Sequence, residues 1–286
     1  MPNSNDAVGG TALVPALMAL SLGIVAMMLS ACDGPLRSFE KTTLNPGVRS
    51  SATPAEVGLQ YTRLSIPSGP RRLDGFLVWA DGACPRTAAV LLFHGRGETI
   101  ADWIKVQRRL YDGCISSLAF DYSGHGYSSP PGTVANLNAD AMASYDAFLK
   151  LFPPTERHCL FSHSLGGGPL LYAATHASVR PDCVVMASPF SSLRAMAVLG
   201  GLPKPLSFIL PDIWDNVEMA GNLKAPLLWV HSQTDQTIPI SFGRKVYDAK
   251  IGAKTAIVIT GFNHNAIYEL TPAAIWSPTT AFILGR

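Results

Sequence analysis

Short apolar runs recur along this chain, each followed by a polar or glycine-bearing loop: Ala88–Phe93, Ser116–Phe120, Cys159–Ser162, Val184–Ala187, Pro226–Val230 and Thr255–Ile259. A run that is apolar almost throughout, rather than at alternate positions, fits a strand covered on both faces, as in a mostly parallel sheet. Between the runs lie helical periodicities. Trp103, Ile104, Val106, Leu110 and Tyr111 stripe residues 101–111, while Met142, Tyr145, Phe148 and Leu149 share a face of 135–152. Residues 165–177 and 242–251 read as two further helices. Ahead of them, 61–66 and 73–80 flank the turn residues Ser68-Gly69-Pro70, which predicts an antiparallel opening pair. Strand-helix alternation of this kind specifies an α/β sheet with helices on both faces. Its working groups belong at the C-terminal ends of the strands.

With 286 residues, 48% of them apolar and 15% charged, the chain is long and apolar enough for one large core plus a leader. The formal net charge of +2, with no basic stripe, excludes nucleic acid as the expected partner. No H-E-x-x-H or C-x-x-C pattern occurs, so no metal or cofactor is predicted.

The leader is distinct. An apolar run over 11–31 ends in Leu29-Ser30-Ala31-Cys32, which resembles the lipobox of bacterial lipoprotein signal peptides. This predicts a signal peptide over 1–31, lipid on Cys32, a polar tether over 32–58 and a folded body over 59–286. The expected location is the bacterial cell envelope, on the extracytoplasmic side, with the membrane as partner through the lipid. One feature disagrees: the first Lys or Arg is Arg37, so the usual basic n-region is missing, and an uncleaved membrane helix is the alternative.

The segment Ser162-His163-Ser164-Leu165-Gly166 joins an apolar run to a helix. A nucleophile elbow needs small residues two before and two after its serine, because the turn is tight and neighbouring backbone comes close. Ser164 sits at the tip and is the candidate nucleophile, with Ser162 the rival inside the strand end. The backbone N–H of Leu165, at the start of the helix, faces where an oxyanion would develop. A second donor is expected from the loop His94-Gly95-Arg96-Gly97-Glu98; Arg96 is the nominee, with Gly95 or Gly97 the alternatives. His94 is expected to pack beneath that loop rather than react.

A base and an acid are needed to activate a serine. His264 lies in the loop after the last run, and Asp235 in the loop after Leu227–Val230. The remaining acid candidates are Asp212 and Asp215. The order Ser164, Asp235, His264 along the chain is that of the α/β-hydrolase fold.

Together with the loop at 94–98 and the segment Asp121-Tyr122-Ser123-Gly124-His125-Gly126-Tyr127-Ser128, these residues resemble the α/β-hydrolase superfamily, and within it the lidless BEM46-like group of ABHD13 and ABHD17 type. The resemblance covers about residues 62–269. It implies an eight-stranded, mostly parallel sheet with a short cap region, and a serine hydrolase acting on a small-molecule ester or acyl substrate. Ser162 replaces the usual glycine, Ser123 a usual basic residue, and His231-Ser232 the usual His-Gly. Alternatives are a peptidase or amidase of the same fold, or a lipid-anchored binding protein without turnover. Residues 189–225 are too few for a large lid, and Met196, Val198, Leu199, Leu206, Phe208, Ile209, Leu210 and Trp214 read as an apolar rim suited to an acyl chain. The family's strand order sets the third strand beside the fourth and the fifth beside the sixth. It thereby implies Cys84 with Cys114 and Cys159 with Cys183 as candidate disulfides, the first pair favoured, against four buried free thiols.

Overall fold

In the computed structural model, which describes residues 35–80, 85–211, 213–269 and 272–286, every apolar run is a strand. Along the chain come α1 (Pro35–Thr43), β1 (Thr62–Ser68), β2 (Arg71–Val78), β3 (Ala88–Phe93), α2 (Ile104–Asp112), β4 (Ile115–Phe120), α3 (Val134–Leu151), β5 (Arg157–His163), α4 (Gly167–His176), β6 (Cys183–Ala187), α5 (Leu193–Leu199), α6 (Asn216–Asn222), β7 (Leu227–Ser232), α7 (Ile240–Ala249), β8 (Lys254–Ile259), α8 (Ala266–Glu269) and α9 (Ser277–Leu284). The strands form one eight-stranded sheet in the order β1-β2-β4-β3-β5-β6-β7-β8. β2 pairs antiparallel with both β1 and β4, and all later neighbours pair parallel.

Strand side chains alternate between faces, so each all-apolar strand feeds two cores. Ala89, Leu91 and Phe93 of β3 join Tyr145, Phe148, Leu170 and Leu171 from α3 and α4 on one side. Ala88, Val90 and Leu92 join Trp103, Val106 and Leu110 from the α2 side, with Ile283 of α9, on the other. β8 departs from the two-face expectation. It is the edge strand, and Thr255, Ala256 and Val258 are exposed.

The segment expected to be a tether is in large part folded onto the body. Leu36 and Phe39 of α1 pack on the core, and Leu44 is fully buried in it. Polar contacts fix the rest. Glu40 accepts the N–H of Val134 at the start of α3 (2.9 Å), while Asn45 donates to the carbonyl of Gly132 and accepts its N–H at 2.8 and 2.7 Å. Pro54–Val57 forms a capped 3₁₀ turn with Pro54 buried. These side chains satisfy backbone groups of the body that would otherwise be unpaired, which composition alone does not reveal.

Cys159 and Cys183 are opposite one another in the β5–β6 register and are bonded, with Cα atoms 4.7 Å apart. Cys114 is also disulfide-bonded. Four free thiols are therefore excluded. Cys84, like Cys32 and the apolar run before it, lies outside the described residues. Among the described residues no helix is long and apolar enough to cross a membrane.

Candidate active site

β5 ends at His163, and the chain turns through Ser164 into a 3₁₀ turn that leads to α4. Ser164 has φ 52°, the left-handed region that a residue with a β-carbon rarely occupies. This is the strained elbow that presents a serine at the end of a buried strand. Gly166 is required by contact: a β-carbon there would lie 2.2 Å from the carbonyl oxygen of Phe93 and 2.7 Å from that of His94. Ser162, the rival nucleophile, is fully buried in the sheet, and its Oγ has no hydrogen-bond partner among the described residues. Ser162 in place of glycine therefore leaves the elbow formed.

The loop after β3 lies against this turn. Gly95 N–H donates to the partly buried Glu98 at 2.6 Å, and Ile100 N–H donates to Oδ1 of the buried Asp121 at 2.8 Å, so two acids shape it. Burial pushes the Asp121 carboxyl up to about 7, against the pull of the Ile100 N–H. His94 is buried beneath the loop, its Nδ1 donating to the Gly95 carbonyl at 2.9 Å, and burial lowers its pKa. It packs as expected. Arg96 is exposed, and its backbone N–H meets no acceptor among the described residues. The Leu165 N–H lies at the first turn after β5, where no preceding helical carbonyl accepts it. Both nominated oxyanion donors thus sit on loops that touch, through Gly166 against Phe93.

β7 and β8 supply the other two groups. Asp235 Oδ2 lies 2.7 Å from His264 Nδ1, and its Oδ1 accepts the N–H groups of Thr237 and Ile238, both at 2.9 Å. His231 Nε2 donates to the Ile238 carbonyl (2.9 Å) and stands 3.4 Å from the same carboxylate. Burial opposes the charge on Asp235, yet the hydrogen bonds from His231, His264 and Ile238 prevail and hold its carboxyl well below the usual range. For His264 burial lowers the pKa, Asp235 partly restores it, and His163 lowers it again. The result is an imidazole kept neutral and oriented by a fixed carboxylate.

Asp215 has a different task. It caps α6, accepting from Val217 and Glu218 N–H at 3.0 Å each. Asp212 lies outside the described residues. Ser164 Oγ makes no hydrogen bond among the described residues; such bonds often tighten only when substrate binds. His264 reaches the elbow through its neighbour, with the His163 and His264 rings 4.7 Å apart.

Two residues that sequence reasoning passed over are His163 and Glu98, whose side chains pair at 2.8 Å. The only signal was an acid in the glycine loop and a histidine beside the serine. Of the expected apolar rim, Leu206, Phe208 and Ile209 are exposed, but Trp214 is core. Its ring lies against Gly168 and its Nε1 donates to Asn138 at 2.8 Å.

The chain is similar to several known proteins. The Hydrolase_4 family model, described as serine aminopeptidase S33, matches residues 85–219, a span that holds the glycine loop and the elbow. The chain is 28% identical over 215 residues to protein ABHD12B of Homo sapiens, covering 66% of this chain and 59% of that protein. It is 27% identical over 185 residues to α/β-hydrolase domain-containing protein 17C of Xenopus tropicalis, covering 62% and 56%. The lysophosphatidylserine lipase ABHD12 of Danio rerio is 28% identical over 199 residues, covering 62% and 51%. The chain thus spans between half and three-fifths of the length of these relatives. In fold it is similar to an esterase of Pyrococcus furiosus (TM-score 0.65, 18% identity, 82% of this chain and 94% of that one). It is also similar to Est1E of Butyrivibrio proteoclasticus (TM-score 0.63, 15% identity, 78% and 98%). The fold is the α/β-hydrolase fold, and in sequence the chain is similar to proteins of that superfamily.

Proposed function

We propose that this protein is a serine esterase that cleaves carboxylic ester or thioester bonds through an acyl-enzyme on Ser164. The observation that carries the reading is the 2.7 Å contact of His264 Nδ1 with the buried Asp235, beside a serine held in a left-handed turn. A serine hydroxyl is a weak nucleophile until a base takes its proton. In this reading Ser164 Oγ attacks the carbonyl carbon as its proton passes to His264 Nε2. The N–H groups of Arg96 and Leu165 take the oxyanion, and Asp235 steadies the imidazolium. His264 then protonates the departing alcohol or thiol, and water clears the acyl group by the same roles. Labelling by a fluorophosphonate probe tests it: wild type should be labelled and Ser164→Ala should not. Labelling that survives in the variant would overturn the assignment.

The substrate we favour is a short to medium acyl ester. The cap between β6 and β7 is short, and its exposed Leu206, Phe208 and Ile209 suit a chain of methylenes better than a phosphate or sugar. Relatives named as lipases and structural neighbours named as esterases support the same class. An acyl-length panel decides; rates rising steadily toward long-chain triglycerides would contradict it. The description of the matching family model favours a second reading, amide or peptide hydrolysis. Turnover of an amide ahead of its matched ester would select it.

We place the protein in a bacterial envelope, lipid-anchored through Cys32 on the extracytoplasmic side. The run ending in Leu29-Ser30-Ala31-Cys32 supports this, and so do the bonded cysteines, which persist in oxidising compartments. A Cys32→Ala protein that matures at the wild-type mass and fractionation would rule it out.

A further inference from the structure

Three loops of the site meet at one side-chain pair that the reaction just described leaves unused. Glu98 Oε2 accepts the backbone N–H of Gly95 at 2.6 Å and the indole N–H of Trp103 at 3.0 Å. Its Oε1 lies 2.8 Å from His163 Nδ1. The other ring nitrogen, Nε2, lies 3.1 Å from the backbone carbonyl oxygen of His264. A carbonyl oxygen only accepts, so Nε2 carries a proton. A neutral pair would then need the acid proton on Oε1, shared with Nδ1, while Oε2 kept two N–H donors. Donors clustered on a carboxyl favour its ionised form instead, with His163 donating at both nitrogens.

We propose that Glu98 and His163 form an ionised positioning pair, carboxylate and imidazolium, that locks the glycine loop, the nucleophile turn and the His264 loop into one unit. The proposal rests on the reading of Ser164, His264 and Asp235 as the reacting groups. Both act through the groups they hold, His163 through the His264 loop and Glu98 through the Gly95 N–H. Burial disfavours both charges, for the His163 side chain is 1% exposed and that of Glu98 15%. Pairing prevails: Glu98 is lowered to about 2 and His163 is raised above the ordinary imidazole value.

The pair also acts on the base electrostatically. His163 is faced by Glu98 from the glycine loop and by His264 from the loop after β8, and it feels Asp235 from the loop after β7. His264 is faced by Asp235, His163 and Glu98. The fixed positive charge on His163 opposes protonation of His264, so the base stays neutral further into acid.

Ring-nitrogen NMR on the substrate-free protein tests the charge directly, with His163 assigned by its loss in His163→Gln. At pH 7, above the value of about 6.5 at which a free histidine titrates, His163 should keep imidazolium shifts in wild type. Glu98→Gln should return it to a neutral ring. A neutral His163 in wild type at pH 7 overturns the proposal, whether or not either variant folds. For kinetics, active-site titration normalises each variant. Glu98→Gln and His163→Gln should each lower kcat by about 10²-fold with little change in KM, the cost expected when reacting groups lose alignment. His163→Gln should also move the acid limb of kcat/KM to higher pH, because the charge opposing His264 protonation is gone. An unmoved limb would reduce His163 to a packing residue and overturn the electrostatic half. Should wild type prove unlabelled by fluorophosphonate, the esterase reading falls while the NMR result still stands.

Discussion

Gly166 stands against Phe93 so closely that a β-carbon on it would come within 2.2 Å of the Phe93 carbonyl oxygen. That oxygen is backbone at the end of a buried central strand and has no room to retreat. Gly166→Ala should therefore separate the nucleophile turn from the glycine loop. We expect a loss of about 1–3 kcal/mol of stability, typical of overpacking, and a lower kcat/KM in the folded fraction. Urea unfolding followed by two probes, alongside ester turnover, checks both. Wild-type stability and rate in the variant would mean that the two loops are not in contact.

On the proposed mechanism, Ser164→Ala should lower ester turnover by a factor on the order of 10⁴–10⁶ while leaving the fold intact, by analogy with serine proteases. His264→Ala should resemble it, and Asp235→Asn should be somewhat milder. Asp215→Ala is the control. It removes a helix cap, costing about 1 kcal/mol of stability, and should spare the chemistry. Circular dichroism and kcat for the four proteins separate these outcomes. An inactive but folded Asp215→Ala would reassign the acid.

The pH profile follows from His264. As the proposed base it works when neutral, so activity is present above its pKa and fades as pH falls through it. Since burial and the neighbouring His163 set that pKa below the ordinary 6.5, the acid limb of kcat/KM should fall below 6.5. Asp235→Asn removes an influence that raises it, so its limb should lie lower still. A wild-type limb above 6.5 would contradict the site's electrostatics.

Acid stability should report Glu98. Its folded pKa, about 2, lies below the ordinary value of 4.5, so the stability it contributes is present above about 4.5 and drains away between 4.5 and about 2. His163 has the opposite sign. Its contribution is full below 6.5 and declines as pH rises through its raised folded value. Thermal midpoints for wild type and Glu98→Gln should converge toward the bottom of the acid range. A constant gap down to about pH 2 would show that Glu98 is not ionised in the native state.

Reducing the bond between Cys159 and Cys183 should destabilise the body by about 2–4 kcal/mol, as for other disulfides. Thiol counting on denatured, unreduced protein, with unfolding in the presence and absence of reductant, tests this. Titratable thiols at both Cys159 and Cys183 before reduction would contradict the structure.

How legible this molecule was depended on whether a residue's role was local. The strands declared themselves because central strands are apolar on both faces; Ser164 and Asp235 stand in the turns after such strands, and His264 in the loop after the edge strand β8. The pairing of Glu98 with His163 joins loops 65 residues apart, and no local pattern signals it. α1 was hidden for another reason. Its sequence is polar, and it is held by Leu44 and by side chains that complete the hydrogen bonding of Gly132 and Val134. Trp214 was misread because an apolar residue in a cap looks the same whether it faces solvent or, as here, lies against Gly168. The cysteine positions were visible, but their partners required the strand order.

The docking of α1 changes what a lipid on Cys32 would do. A free leash of 27 residues from 32 to 58 would let the body wander about 30 Å from the bilayer, reorienting at will. With the helix beginning at Pro35 and clamped by Glu40, Leu44 and Asn45, only two residues lie between Cys32 and the helix. Even fully extended, the three steps from Cys32 to Pro35 span about 10 Å. The body would then be moored rather than tethered, with one side of it turned to the membrane and the depth of the candidate site set by the rigid body itself.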